Sequence, residues 1–320
     1  MGMLIDGVWT LENHFPTNDG GEFRRKATTF RDRITADGSS GFPAESGRYH
    51  LYVSYACPWA HRTLILRSLR GLEDVISVSV VDAFMTADGW HFEGRNGSTE
   101  DHVLGKRFLR EVYQQAKPDF TGRVTVPVLY DKQTGRIVNN ESTEIIRMLN
   151  EEFGPGLAKN PEVDLYPEGL RETSDALRDQ IYNRFNNGVY RAGFARSQEA
   201  YERAVTDVFD VLDELEAILA EQRYLASDTR MTEADICAFG TLVRFDPVYV
   251  GHFKCNLRRI ADYEHLPNYL RDLYQTPGIA KTVRLDQIKE HYYRSHESVN
   301  PSRIVPLGPD FELAAPHGRG

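Results

Sequence analysis

Between residues 49 and 81 the apolar pattern changes period twice, and no other feature limits the fold of this chain as tightly. Residues 49–54 alternate as a strand does. Residues 58–70 carry Ala60, Leu64, Leu66 and Leu69 at helical spacing and stop at Gly71. Residues 75–81 are again rich in β-branched side chains. A strand, a helix and a second strand within roughly 30 residues make a βαβ crossover. A further strand is predicted at 124–129, a hairpin turn at 131–135, a strand at 136–138 and a helix over 141–152. Between the two halves lies an insertion, residues 83–122, holding Trp90 and a helical pattern over 99–116.

After Pro167 the β signal fades. Amphipathic patterns predict helices near 169–187, 198–222, 233–245 and 266–274, with shorter ones beyond. Thr232 and Asp235 stand as a capping box before a buried helix, with Asp in place of Glu. The organisation expected is an irregular arm (1–48), an α/β domain (49–153), a Gly/Pro-rich linker (153–167), an all-helical domain (168–300) and a tail (301–320) that wraps over the surface.

Composition removes several classes of function. The 320 residues are 41% hydrophobic and 27% charged, as in a chain that buries a core. The net charge of −9 disfavours nucleic acid as a partner, since phosphate contacts need a basic surface. No apolar run approaches the ~18 residues of a membrane span. The first residues lack the charged-then-apolar layout of a secretory leader. Three cysteines, Cys57, Cys237 and Cys255, are too few for a disulfide scaffold, so free thiols in a reducing compartment are expected.

Cys57-Pro58-Trp59-Ala60 is the most informative tetrapeptide. Proline is favoured at the first position inside a helix, which puts Cys57 at the N-cap. There, orphan N–H groups and the positive end of the helix dipole favour a thiolate. Position 60 is alanine, so the thiol has no partner to resolve a mixed disulfide, and an outside thiol must do so. The plainer alternative is that Cys57 is a small buried residue. Cys237 lies on an apolar helix face and reads as core. Cys255, beside Lys254, reads as a solvent-side structural thiol. His252 and Cys255 supply half a zinc site at most, so no metal is expected.

Val126-Pro127 interrupts a strand, and a cis bond there would turn the neighbouring backbone toward a bound peptide. Glu141-Ser142 opens the following helix. A serine hydroxyl with backbone N–H groups suits a carboxylate, and a glutamate suits an α-ammonium. Each also has a structural reading: an edge breaker and a helix cap. Their order along the chain points to a ligand with an amino-acid end. Tyr190, in an Asn-Gly-Val-Tyr segment between two helices, reads equally well as a site phenol or a buried one.

Six blocks in this order resemble the glutathionyl-hydroquinone reductases, the Xi class of glutathione transferases and relatives of the Omega class. They are SYACPWAHRT at 54–63, RVTVPVL at 123–129, NES at 140–142, NNGVYRAGF at 186–194, RFDPVY at 244–249 and HYYRSH at 291–296. The similarity runs from the arm to IVP at 304–306. It implies the glutathione transferase fold, an α/β thioredoxin-like N-terminal domain with an all-α C-terminal domain. It implies Cys57 as nucleophile, Tyr190 as proton donor and acceptor, and Tyr249 and Tyr292 as groups that lower the thiol pKa, with Tyr293 adjacent. Trp90, Arg123, Val124, Thr125, Val126, Glu141 and Ser142 would bind glutathione.

The activity expected is glutathione-dependent reduction of S-glutathionyl-hydroquinones. Glutathione is the co-substrate, aromatic glutathionyl conjugates are the partners, and a cytoplasmic homodimer is the assembly. Two alternatives stay open: an Omega-like thiol transferase or dehydroascorbate reductase, and a non-catalytic module of the same fold.

Overall fold

The computed structural model describes residues 2–11, 17–25, 27–310 and 312–319. Residues 1, 12–16 and 26 of the expected arm, and 311 and 320 of the expected tail, lie outside the described residues. The chain forms two compact units. The first takes Met1–His14, Ala27–Val163 and Asp286–Ser295; the second takes Phe15–Lys26, Asp164–Leu285 and His296–Gly320. Spatial grouping thus departs from chain order twice. The helix near residue 290 belongs with the α/β part, and a piece of the N-terminal arm belongs with the helical part.

The arm is more regular than its composition suggests. Strands β1 (Gly2–Ile5) and β2 (Val8–Leu11) pair antiparallel across a turn in which Gly7 adopts a positive φ. The four-stranded sheet of the first unit contains β3 (Tyr49–Val53), β4 (Ser77–Val80), β5 (Val128–Asp131) and β6 (Arg136–Asn139), in the order β4-β3-β5-β6. β4 runs parallel to β3, whereas β5 and β6 are antiparallel to their neighbours. Every residue of central β3 is buried, His50 included, so the alternation read in the sequence does not mark a solvent-facing side.

Helix α1 (Pro58–Leu69) makes the crossover and packs against α3 (Ser142–Glu151). Ten of its twelve residues are buried, His61 and Arg62 among them, so it is enclosed on nearly every side. In the insertion only α2 (Leu109–Ala116) is helical; residues 99–108 form turns around Asp101, whose carboxylate accepts from the N–H groups of Val103, Leu104 and Lys106. The strand expected from residue 124 begins only at Val128, because Pro127 has no N–H for a ladder; the Val126–Pro127 peptide is cis. The linker is anchored, since buried Arg70 donates to the carbonyls of Phe153 (2.7 Å), Pro161 (2.7 Å) and Val163 (2.6 Å).

The second unit is helical. α4 (Arg171–Gln180) runs on into a π-helical turn, Ile181–Asn186, followed by α5 (Gly188–Gly193) and the long α6 (Gln198–Glu221). α7 (Glu233–Arg244) is buried along its whole length and starts with the expected capping box. It continues as a π-helical segment, Phe245–Tyr249, where Pro247 cannot donate to the regular helical ladder. Short α8 (Val250–His252) and α9 (Leu266–Gln275) follow, and α10 (Leu285–Ser295) returns to the first unit. Among the described residues no helix is long and apolar enough to cross a membrane.

Candidate active site

After β3 the chain turns sharply at Ser54. Its hydroxyl accepts from Ala56 N (3.2 Å) and its carbonyl from Cys57 N (3.2 Å). Cys57 is the N-cap of α1 with an extended backbone (φ −78°, ψ 120°), and Pro58 occupies the first turn. The Cys57 carbonyl takes the first helical bond, from His61 N at 3.0 Å, while its sulfur does not cap the helix. The half-buried Sγ lies 3.5 Å from the carbonyl oxygen of Val126, beside the cis peptide.

The segment facing the thiol is tied to the start of α3. Glu141 is the N-cap of α3, its carboxylate accepting from Thr143 N (3.4 Å), Thr143 Oγ1 (3.2 Å) and Thr28 Oγ1 of the arm (3.2 Å). Buried Ser142 opens the helix, and its Oγ accepts from Arg62 Nη1 at 3.3 Å. The Arg62 guanidinium also lies over the Trp59 ring, 4.5 Å from its centre. So α1, the 123–127 segment and α3 converge on one region.

Trp90 belongs to a different cluster of the same unit. It is buried and stacked on His291 (4.8 Å between ring centres, 20° between planes), whose Nδ1 donates to the Ala83 carbonyl at 2.8 Å. Tyr292, also buried, meets His291 edge-on at 5.4 Å. Tyr293 is half-buried, and burial pushes its phenol above the ordinary tyrosine range.

Tyr190 and Tyr249 lie in the second unit, with ring centres 6.2 Å apart. Tyr249 is stacked parallel on Phe253 at 5.5 Å, and Tyr190 meets the same ring at 5.4 Å. The glycine of the Asn-Gly-Val-Tyr segment and the next one explain this packing. A Cβ on Gly188 would stand 2.7 Å from Val208 Cγ2, and one on Gly193 would be 2.1 Å from Phe253 Cδ1. Arg25 of the arm places its guanidinium 5.0 Å from the Tyr190 ring centre and donates to Asn187 Oδ1 at 2.8 Å.

The other two thiols differ from Cys57. Cys237 is buried in α7, as expected. Cys255 is wholly buried rather than solvent-side, and burial pushes its thiol far up. Among the described residues one cluster, Asp82, His91 and Glu93, brings potential metal ligands together, and Arg95 Nε already supplies positive charge there at 2.9 Å from Asp82 and 2.8 Å from Glu93.

Comparison with known proteins agrees with this architecture. The family models for the N-terminal and C-terminal domains of glutathione S-transferase match residues 56–152 and 198–272. The chain is 53% identical to glutathionyl-hydroquinone reductase YqjG of Escherichia coli, covering 100% of this chain and 98% of the relative. It is 50% identical to glutathionyl-hydroquinone reductase PcpF of Sphingobium chlorophenolicum, covering 97% and 96%.

This chain belongs to the glutathione transferase family. Within it, the relatives place it among the Xi-class glutathionyl-hydroquinone reductases. A Xi-class enzyme from Natrialba magadii superposes with a TM-score of 0.93 at 55% identity, covering 100% of this chain and 96% of the other. The glutathione-bound structure of YqjG superposes at 0.91 with 51% identity, covering 99% of each.

Three residues that bond to the segments around Cys57 and the start of α3 had no role in the sequence reading: Arg62, Tyr113 and Asn140. Arg62 is a charge inside an otherwise enclosed helix, a legible anomaly. Asn140 stands in the NES block but drew no role of its own, and Tyr113 gave no signal, because its partners are distant in the chain.

Proposed function

We propose that this transferase reduces S-glutathionyl-hydroquinones to hydroquinones through a mixed disulfide on Cys57. The observation that carries the reading is the lone half-buried thiol at the start of α1, 3.5 Å from the Val126 carbonyl, with alanine at position 60. The helix N-terminus favours the thiolate, and the thiolate is the nucleophile. Cys57 attacks the sulfur of the conjugate. The sulfur–aryl bond breaks, its electron pair stays with the aryl carbon, and that carbon takes a proton. The hydroquinone leaves, and Cys57 holds glutathione by a disulfide. A second glutathione thiolate attacks that disulfide, releasing oxidised glutathione and the Cys57 thiolate. Per turnover, one conjugate is reduced and one glutathione is consumed.

In this reading Tyr190 gives the proton to the aryl carbon, and Tyr249 and Tyr292 favour the thiolate. Trp90, Arg123, Val124, Thr125 and Val126 hold the glutathione peptide. Ser142 and the N-terminus of α3 take its carboxylate, with Glu141 on its ammonium group. No metal is assigned a role. The reading also has the protein working in the cytoplasm as a homodimer; light scattering on the purified chain tests the dimer.

The deciding experiment supplies a glutathionyl-menadiol conjugate with excess glutathione. One hydroquinone and one oxidised glutathione should appear together. Turnover of dehydroascorbate with none of the conjugate would put the Omega-like thiol transferase reading in its place.

A further inference from the structure

Tyr113 projects from α2, in the insertion, into the part of the first unit where the two glutathione-holding segments meet. Its side chain is fully buried. The ring packs against Phe120 (5.1 Å between centres) and meets Phe30 of the arm edge-on at 5.8 Å, while Phe30 stacks on Phe120 at 5.5 Å. In this dry setting the phenol stays protonated, since burial raises its pKa. It can therefore donate and accept at once.

Both capacities are used. The hydroxyl donates to the Thr125 carbonyl at 2.9 Å and accepts from Asn140 Nδ2 at 3.2 Å. Thr125 N and Oγ1 stand further off, each at 3.4 Å. Asn140 is held in turn by the arm, its Oδ1 accepting from Phe30 N and its N–H donating to the Phe30 carbonyl, both at 3.1 Å. Thr125 immediately precedes the residue whose carbonyl faces Cys57, and Asn140 immediately precedes Glu141. One oxygen atom thus joins two segments that are 15 residues apart in the chain.

We propose that Tyr113 is a positioning residue for glutathione: its hydroxyl sets the spacing between the Thr125–Val126 backbone and the Glu141–Ser142 helix start. The insertion and the arm, which a minimal βαβ-hairpin domain would not need, supply this brace. The inference rests on the proposed function, in that it takes those two segments to hold the peptide. An unligated site so braced is preorganised, and less ordering free energy opposes binding.

The test uses the full chain and glutathione itself. Tyr113→Phe keeps the ring and removes the brace; Tyr49→Phe removes a phenol–carbonyl bond of the same kind, to Pro43 O at 2.7 Å, outside the site. Both should lower the melting temperature. Tyr113→Phe alone should raise the calorimetric Kd and the KM for glutathione, about five- to tenfold for one buried hydrogen bond lost, with kcat within about twofold. Asn140→Ala leaves the phenol on Thr125 but cuts the tie to α3, and should weaken glutathione in the same direction; it decides the matter if Tyr113→Phe does not fold. An unchanged Kd in these site variants, or an equal rise in Tyr49→Phe, would overturn the inference while leaving the reductase reading intact. A wild-type chain that does not bind glutathione would overturn both.

Discussion

In the proposed mechanism bond-making depends on one sulfur atom, that of Cys57, whereas binding is spread over residues that serine would leave untouched. Serine is a favoured N-cap residue, so Cys57→Ser should preserve α1. A hydroxyl is a far weaker nucleophile than a thiolate near neutral pH, and it cannot form a disulfide that glutathione would reverse. Calorimetry should find the conjugate bound within about tenfold of wild type, or ~1.4 kcal/mol, while turnover falls to background. Near-normal turnover would mean that free glutathione is the attacking thiol. Tyr190 separates differently, because only the reductive step needs a proton on carbon. Tyr190→Phe should slow single-turnover hydroquinone release by about 10²–10⁴-fold, with glutathionylation of Cys57 by oxidised glutathione preserved. An unchanged release rate would assign that proton to water or to another phenol.

Among the elements, the β5–β6 hairpin is tied to Arg48 by a buried ion pair. Arg48 Nε and Nη2 donate to the two carboxylate oxygens of Asp131 at 3.0 and 2.7 Å, and Asp131 also accepts from Gln133 N and Thr134 Oγ1 in the turn. Breaking a buried pair strands a charge, so Arg48→Met should cost about 3–5 kcal/mol in chemical denaturation. Burial alone would raise the Asp131 pKa, but the bonds to Arg48, Thr134 and Gln133 outweigh it and hold the carboxyl below its usual range. A depressed acid pKa contributes stability above its unfolded value, lost as pH falls through the folded one. The gap between wild type and Arg48→Met should therefore narrow below about pH 4. A constant gap down to pH 2 would place the effect in packing.

The turn and second strand of this hairpin are legible in the sequence, because the Asp–Gly turn residues act locally, whereas its first strand starts four residues later than the sequence predicts. Also legible are α1, α3, α6 and α7, where caps and apolar spacing agree. The β1–β2 hairpin was missed because its second strand is largely exposed, leaving little apolar contrast. α2 was drawn too long, since the loop held by Asp101 has the same polar composition as a helix flank. The placement of the thiol, the proline and the Glu-Ser pair is legible because each sits at an element boundary with a strong local rule. That of Tyr113 is not, nor is the burial of Cys255 beside a lysine: both are set by contacts made only on folding.

At the scale of the whole molecule the three thiols are unequal, and this fixes how the protein meets an oxidant. Cys57 is half-buried at a helix start, whereas Cys237 and Cys255 are buried in the helical unit. Disulfide exchange needs a thiolate with access to the attacked sulfur. Cys255 fails on both counts, because burial keeps it protonated as well as covered. Cys237 is 1% exposed within α7 and could react only after that helix opened. No second cysteine follows at position 60 to displace a bound glutathione. Oxidised glutathione should therefore load one glutathione per chain, on Cys57, and a brief pulse of iodoacetamide should alkylate that residue alone. In denaturant all three thiols should react. Intact-mass and peptide spectra distinguish these products. An internal disulfide from Cys57 to Cys237 or Cys255 at equilibrium would mean that the helical unit opens readily enough to supply a resolving thiol, and the requirement for a second glutathione would then fall.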